Sequence, residues 1–419
     1  MDRLVIRGGN KLAGEVALSG AKNSALNILS VAIMVDGEVK LHNVPVQTED
    51  LQTKVEMLRT LGVEVGAKGN SLSVNASSLS SWNLQVSAGK GTRTSILLLG
   101  SLLSRFGRAR VPLPKGDALG ERKHDLHIYA LEQLGVKVKE ANEGFIEAEC
   151  PKLIGSEIKL SFPSTGATEH AMLASCLAKG ITVIENAATG PEVVALADFL
   201  NSVGAQIRGA GTDTIVVDGV KRLKGTEFVL IPDRMEAGTY MVAGAITHGE
   251  VLLTNARFDH LASLIAKLRE TGVSVTKVDE GIWVRAAGSF RPTNIVTEVY
   301  PGFPTDMQPM LTSLLALANG RSTIKETIYQ IRFGHVTGLR KMGAKIEVDA
   351  NTIVINGVKR LKGAEVTATD IRAGAALVVA GLAADGETIV TNVYQIDRGY
   401  EQIEEKLGSL GAQIYRVRE

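Results

Sequence analysis

Charged residues recur at matching places along this chain, and their placement suits the holding of an anion. Lys22-Asn23, Arg93, Ser164-Thr165-Gly166, Glu236, Asp306 and Arg372 all stand at a similar distance before a glycine that ends an apolar helical pattern. A second set, Asp50, Arg122 with Asp125, Glu192, Asp259, Arg332 and Arg398, stands in the same way before the glycine that ends the next such pattern. These are the expected starts of helices. Unpaired N–H groups and the helix dipole already favour anions there. A lysine or arginine at that place opposes the dipole unless an anion compensates both. Lys22, Arg93, Arg122, Arg332, Arg372 and Arg398 together therefore predict a polyanion site.

The elements that must position these residues form a repeat. Gly62, Gly135, Gly204, Gly272, Gly343 and Gly411 follow one another at nearly equal intervals, each with a small apolar residue after it. A second series, Gly37, Gly107, Gly180, Gly249, Gly320 and Gly386, precedes the first by a nearly constant offset. The run Val220-Lys-Arg-Leu-Lys-Gly225 returns as Val358-Lys-Arg-Leu-Lys-Gly363. One unit reads as β-α-β-α-β: Ile158 opens a strand, 166–178 is helical, Ile181 starts a strand, and a helix entered through Pro191 runs to Gly204. The first helix of each unit is apolar all round, as in 373–383, so it belongs inside. Six units are too many for one core. The predicted fold is α/β, with two inside-out domains of three units each around buried helices and a division near residue 230. Helices sharing one direction within a domain would turn the six cations toward one cleft.

Composition excludes other classes. The 419 residues carry a net charge of +1 and 4% aromatics, which gives neither a basic field nor stacking platforms for nucleic acid. The start, Met-Asp-Arg-Leu-Val-Ile-Arg, has no signal or transit pattern, and 25–35 is too short to span a bilayer. A cytoplasmic protein without membrane or nucleic-acid partners is expected. Cys150 and Cys176 read as buried inert thiols. The histidines lack metal spacing, His124 and His127 included, so no metal and no cofactor are expected. Gly89 to Ser95 lacks Walker spacing, and Gly209-Ala-Gly211 lacks the third glycine of a dinucleotide fingerprint and reads as a turn.

Four motifs in order carry a resemblance: Ser19-Gly-Ala-Lys-Asn23, Phe303-Pro-Thr-Asp-Met-Gln308, Ala368-Thr-Asp-Ile-Arg372 and Ile396-Asp-Arg-Gly-Tyr400. Over its full length the chain resembles the UDP-N-acetylglucosamine enolpyruvyl transferases, relatives of 5-enolpyruvylshikimate-3-phosphate synthase. The resemblance implies domain boundaries of 22–231 and of 1–21 with 232–419. It implies transfer of the enolpyruvyl group of phosphoenolpyruvate to the 3-hydroxyl of UDP-N-acetylglucosamine, the first committed step of peptidoglycan precursor synthesis. Lys22, Arg122 and Arg398 would then bind the phosphate of phosphoenolpyruvate, and Arg332 and Arg372 its carboxylate. Arg93 would belong to the same electropositive wall. Asp306 would take the sugar proton and, with Asn23, orient the sugar. Ser164, Thr165 and Gly166 would cradle the diphosphate, and Arg122 to Leu126, with Asp125 between them, would flank the uracil. Ile328 would join the substrate contacts, and Asp370 would support the catalytic cations. Asp117, Asp306, Lys22 and Arg398 form the implied catalytic set.

The chain departs from its family in the loop Pro112-Leu-Pro-Lys-Gly-Asp-Ala-Leu-Gly-Glu-Arg122. Most members carry cysteine where Asp117 stands. A carboxylic acid with a raised pKa could supply the same proton, but it forms no thioether, so insensitivity to fosfomycin is expected. Lys123-His124, Phe162-Pro163 and Gln395 also depart from the family, on the acceptor side. Two other functions stay open: an enolpyruvyl transferase for another nucleotide acceptor, of nucleoside-antibiotic type, and a non-catalytic nucleotide-sugar sensor. A sensor would need neither Asp306 nor the cation set.

Overall fold

A computed structural model describes residues 2–85, 92–114, 124–141 and 144–418. Of these, 2–19 and 232–418 form one compact unit and 20–231 another. Asp117 and Arg122 lie outside the described residues, as do 86–91 of the sequence before Arg93.

The third repeat shows how the pattern folds. Strand Glu157–Lys159, helix Thr165–Ser175, strand Ile181–Glu185 and helix Pro191–Ser202 follow in order, then strands Gln206–Arg208 and Thr214–Asp218. Ile181–Glu185 pairs in parallel with Glu157–Lys159 and antiparallel with Thr214–Asp218, which pairs back onto Gln206–Arg208. The repeat thus holds one strand beyond the β-α-β-α-β pattern, because its closing strand is the first arm of a hairpin. Gly209 and Gly211, at φ 82° and 90°, make that turn. All six glycines that close the second helices are left-handed, with φ between 89° and 103°. This is why glycine marks every repeat.

Among the described residues each unit carries three sheets around three inner helices. In the unit of 232–418, helices Arg234–Ile246, Gln308–Leu315 and Ile371–Leu382 pack on one another. All twelve residues of Ile371–Leu382 are buried. The inner helices of the other unit are Lys22–Ala32, Leu97–Phe106 and Thr165–Ser175. Distant segments complete the sheets. Arg3–Arg7 pairs with Gln413–Val417 and Glu387–Thr391, while Ala13–Ala17 lies parallel to Glu250–Thr254. Leu223–Val229 does the same for Val35–His42 in the second unit.

Cys150 and Cys176 are free and buried, and burial pushes the Cys176 thiol up to about 12. No helix among the described residues is long and apolar enough to cross a membrane.

Candidate active site

In the unit containing 232–418, Asp306 lies in the turn Thr305–Met307 that leads into helix Gln308–Leu315. Two buried arginines converge on it. Arg332 Nη1 donates to Asp306 Oδ1 at 2.6 Å, and Arg372 Nε donates to Asp306 Oδ2 at 3.1 Å. Burial alone would raise the Asp306 pKa, but the two guanidiniums outweigh it and hold the carboxyl well below the usual range. Arg332 and Arg372 are themselves pushed above the ordinary arginine value, Asp306 outweighing burial for Arg332, and Tyr400 with Asp306 for Arg372. Both stay charged, in a setting where a buried charge needs a partner. Arg332 Nε is buried and has no acceptor among the described residues.

The supports of this cluster follow from its sequence neighbours. Asp370 caps helix Ile371–Leu382, its Oδ1 accepting from the N–H groups of Arg372 and Ala373 at 2.9 and 3.0 Å. Arg372 Nη1 donates to Tyr400 Oη at 2.9 Å, and that hydroxyl shares a 2.7 Å bond with Thr239 Oγ1. Glu326, fully buried, gathers the other side. Its Oε1 accepts from Thr297 Oγ1 and from the N–H groups of Ile328 and Tyr329, and its Oε2 from Thr305 Oγ1. Thr305 Oγ1 in turn accepts from Arg332 Nη1 at 3.1 Å. Ile328 thus lies on the turn that Glu326 folds. His335, on helix Gly334–Lys341, is buried without a partner on either nitrogen among the described residues; burial, then the Arg332 charge, pushes it down to about 3.

Two of the expected helix starts are turns instead. Arg332 precedes helix Gly334–Lys341, and Arg398 follows the short helix Tyr394–Asp397, with the next helix beginning only at Ile403. Glu326 bends the first approach by accepting two backbone N–H groups, and left-handed Gln402 breaks the second. Arg398 Nη1 donates to Gln395 Oε1 at 2.9 Å. Glu236 does sit in a first helical turn, but it serves a different network, accepting from Lys406 Nζ at 2.6 Å and from Ser19 N–H at 2.7 Å.

In the unit of 20–231, Lys22 opens helix Lys22–Ala32 and is nearly buried; its Nζ donates to Asp50 Oδ2 at 2.9 Å. Asn23 beside it is half-buried. Arg93 is exposed and begins the 3-10 turn Arg93–Ile96. Its charge acts on Glu169, yet burial dominates there and pushes that carboxyl up to about 8. Ser164 caps helix Thr165–Ser175, its Oγ accepting from Ala167 N–H. Thr165 is exposed and Gly166 half-buried at that helix start. Asp125 opens helix Asp125–Gln133, which packs on helix Thr165–Ser175, and Leu126 packs against the core. Asp125 and Leu126, expected at the uracil, therefore lie on a helix that neighbours the one expected at the diphosphate. Among the described residues no group of three or more His, Cys, Asp or Glu could hold a metal ion.

Glu326 and His335 were not apparent in the sequence, while Thr305 stood inside the motif Phe303–Gln308 without a role assigned to it. A single glutamate after strand Arg321–Lys325 has no spacing to mark it, whereas Asp50 and Tyr400 lay in segments already singled out.

The family described as EPSP synthase (3-phosphoshikimate 1-carboxyvinyltransferase) matches residues 6–407. The chain belongs to this enolpyruvyl transferase family. It is 48% identical over 419 residues, covering 100% of both chains, to UDP-N-acetylglucosamine 1-carboxyvinyltransferase 2 of Carboxydothermus hydrogenoformans. It is 44% identical, again over 100% of both, to UDP-N-acetylglucosamine 1-carboxyvinyltransferase of Geotalea uraniireducens. Among solved structures, the enolpyruvyl transferase NikO from Streptomyces tendae matches with a TM-score of 0.90 at 27% identity, covering 99% of both chains. EPSP synthase from Acinetobacter baumannii shares the fold, with a TM-score of 0.76 at 19% identity and full coverage of both chains. The six-unit repeat and the inner helices are thus those of an enolpyruvyl transferase.

Proposed function

We propose that the chain transfers the enolpyruvyl group of phosphoenolpyruvate to the 3-hydroxyl of UDP-N-acetylglucosamine, releasing phosphate and committing the sugar to peptidoglycan precursors. The observation that carries this is Asp306 held by Arg332 and Arg372. Support comes also from relatives of that name at 44% and 48% identity over the whole chain.

In the free protein Asp306 is a weak base, because both arginines favour its ionised form. The carboxylate of phosphoenolpyruvate competes for those same donors, and Arg332 Nε is a buried donor without an acceptor among the described residues. As the substrate takes the arginines over, Asp306 loses the partners that depress its pKa, and its basicity rises. It then accepts the proton of the sugar 3-hydroxyl while that oxygen bonds to C2 of phosphoenolpyruvate. The methylene carbon gains a proton from Asp117, giving a tetrahedral adduct. Loss of a proton from that carbon and of phosphate from C2 restores the double bond. Lys22, Arg122 and Arg398 hold the phosphate, with Arg93 adding positive potential. Asn23 orients the sugar, and Asp370 fixes the helix start that carries Arg372. Ser164, Thr165 and Gly166 offer a helix start to the diphosphate, and Asp125, Leu126 and Ile328 contact the rest of the acceptor.

This reading places the protein in the cytoplasm, ties its product to cell shape and division, and makes it insensitive to fosfomycin through Asp117. The experiment that tests it is phosphate release from phosphoenolpyruvate with a panel of acceptors and no added metal. Release with UDP-N-acetylglucosamine alone supports the reading. Turnover of UMP but not of the sugar nucleotide replaces the acceptor, and binding without any phosphate release makes the chain a sensor.

A further inference from the structure

Two histidines that the reaction above does not use meet inside the unit of 20–231. His127 lies on helix Asp125–Gln133 and His170 on helix Thr165–Ser175. Their Nδ1 atoms are 3.2 Å apart, and the rings are tilted at 55°. The backbone N–H of Gly100 reaches His170 Nε2 at 3.1 Å. A backbone amide only donates, so His170 Nε2 is the acceptor and the ring proton sits on Nδ1. That proton points at His127 Nδ1, which must accept it, and the proton of His127 therefore sits on Nε2. A second proton on either ring would break one of these two bonds. Burial acts in the same direction, holding His127 down at about 3, with Arg93 and His124 adding to it, and His170 well below its usual value.

The Nε2 edge of His127 faces a helix start. A methyl group built on Gly166 would lie 2.9 Å from His127 Nε2 and 3.0 Å from Cε1. Glycine at 166 thus leaves room for the imidazole against the first turn of helix Thr165–Ser175, and no described residue accepts the Nε2 proton.

We propose that His170 is a positioning residue that locks His127 as the neutral Nε2–H tautomer, making it an uncharged, fixed donor to an anionic oxygen of the acceptor. The ligand half of this inference rests on the acceptor reading above; the tautomer half does not. Its consequence is a diphosphate contact that keeps its strength across pH 5 to 8, where a free histidine would change charge. Among the described residues the charged groups around the pair are few. Arg93 and His124 act on His127, Asp125 opens its helix and Glu169 precedes His170. Glu192 lies on the neighbouring helix Pro191–Ser202. Lys137, Lys139, Glu157 and Lys159, on the strands packed against His127's helix, are exposed.

The test is nitrogen NMR of histidine-labelled, ligand-free protein, with His127 assigned through its loss in His127→Phe. The expected spectrum has His127 protonated at Nε2 only, His170 at Nδ1 only, and neither titrating between pH 5 and 8. His170→Leu should release the lock, so that the His127 proton divides between Nε2 and Nδ1 in the ligand-free spectrum while burial still keeps the ring neutral. The KM for UDP-N-acetylglucosamine should then rise at every pH, with the KM for phosphoenolpyruvate unchanged. His170→Asn, whose amide can donate in place of Nδ1–H, should restore both the single tautomer and the KM. A wild-type His127 that titrates near neutrality, or carries its proton on Nδ1, overturns the proposal. His127→Phe should weaken UDP binding by calorimetry about ten-fold. Unchanged UDP affinity, with the tautomer as stated, overturns the donor role. If neither UDP nor UDP-N-acetylglucosamine binds the wild type, the acceptor reading fails while the tautomer result stands by itself.

Discussion

Lys54 offers a measurement whose size follows from the structure. It lies on helix Glu49–Thr60, fully buried, with Nζ donating to Ser30 Oγ at 2.7 Å and to the Thr94 carbonyl at 3.2 Å. It thereby joins the helix that Lys22 opens to the turn that Arg93 opens. Two acceptors match the two N–H bonds of a neutral amine, and burial lowers the pKa from 10.5 to about 7. The unfolded chain binds this proton up to pH 10.5 and the folded protein only up to about 7, so stability rises with pH across that window. The Lys54 contribution is whole above the unfolded value, declines as pH falls, and drops no further below about 7. At about 1.4 kcal/mol per pH unit, the ceiling is about 5 kcal/mol. Lys54→Met removes the titration and strips two hydrogen-bond acceptors of their donor, a loss that does not vary with pH. Urea unfolding from pH 6 to 10 would be followed through Trp82, which lies in the same unit, in a Trp283→Phe background. The stability of the parent minus that of Lys54→Met should be flat below about pH 7 and climb above it. Parallel curves across pH 7 to 10 would refute the reasoning, because the amine would then be charged in the fold.

Other consequences are as direct. Glu169→Gln should show the opposite linkage: burial raises that carboxyl from 4.5 to about 8, so its contribution is full below 4.5 and is lost as pH rises to about 8. Replacing it by an amide should flatten the loss of stability between those values, as urea midpoints of the two proteins would record. Arg372→Lys keeps the charge but loses the fork; the KM for phosphoenolpyruvate should rise at least about ten-fold in steady-state phosphate release. Asp306→Asn should bind both substrates by calorimetry yet release phosphate at least about a hundred-fold more slowly, since an amide cannot accept the proton. Asp117→Cys should retain turnover and gain time-dependent inactivation by fosfomycin with a mass adduct, whereas the parent should show neither.

The frame of the protein was readable because it is punctuated by a backbone requirement. Six left-handed glycines each end a helix, and a left-handed position excludes most side chains, so the sequence must repeat where the fold repeats. Apolar inner helices were readable for a similar reason, since a surface of Ala, Gly and Leu all round leaves no face for water. Pairings across long separations were not. Arg3–Arg7 finds Gln413–Val417 at the far end of the chain, and the hairpin arm Thr214–Asp218 alternates like any half-buried strand. The same limit divides the site. Helix starts collect Lys22, Arg93, Arg372 and Asp306, and that much is local. That Asp306 spends the arginines' charge in the free protein is a fact of three segments meeting, and it changes the chemistry. Each residue read separately suggests a base and a clamp. On the proposed mechanism they would make a base that the clamp suppresses until an anion relieves it, which would couple proton transfer to occupancy by phosphoenolpyruvate. With the acceptor alone bound, Asp306 should remain a carboxylate with a depressed pKa. Saturating phosphoenolpyruvate analogue should raise it, which carbon NMR of labelled aspartate can follow. An Asp306 signal that titrates identically with and without the analogue would remove this coupling from the mechanism.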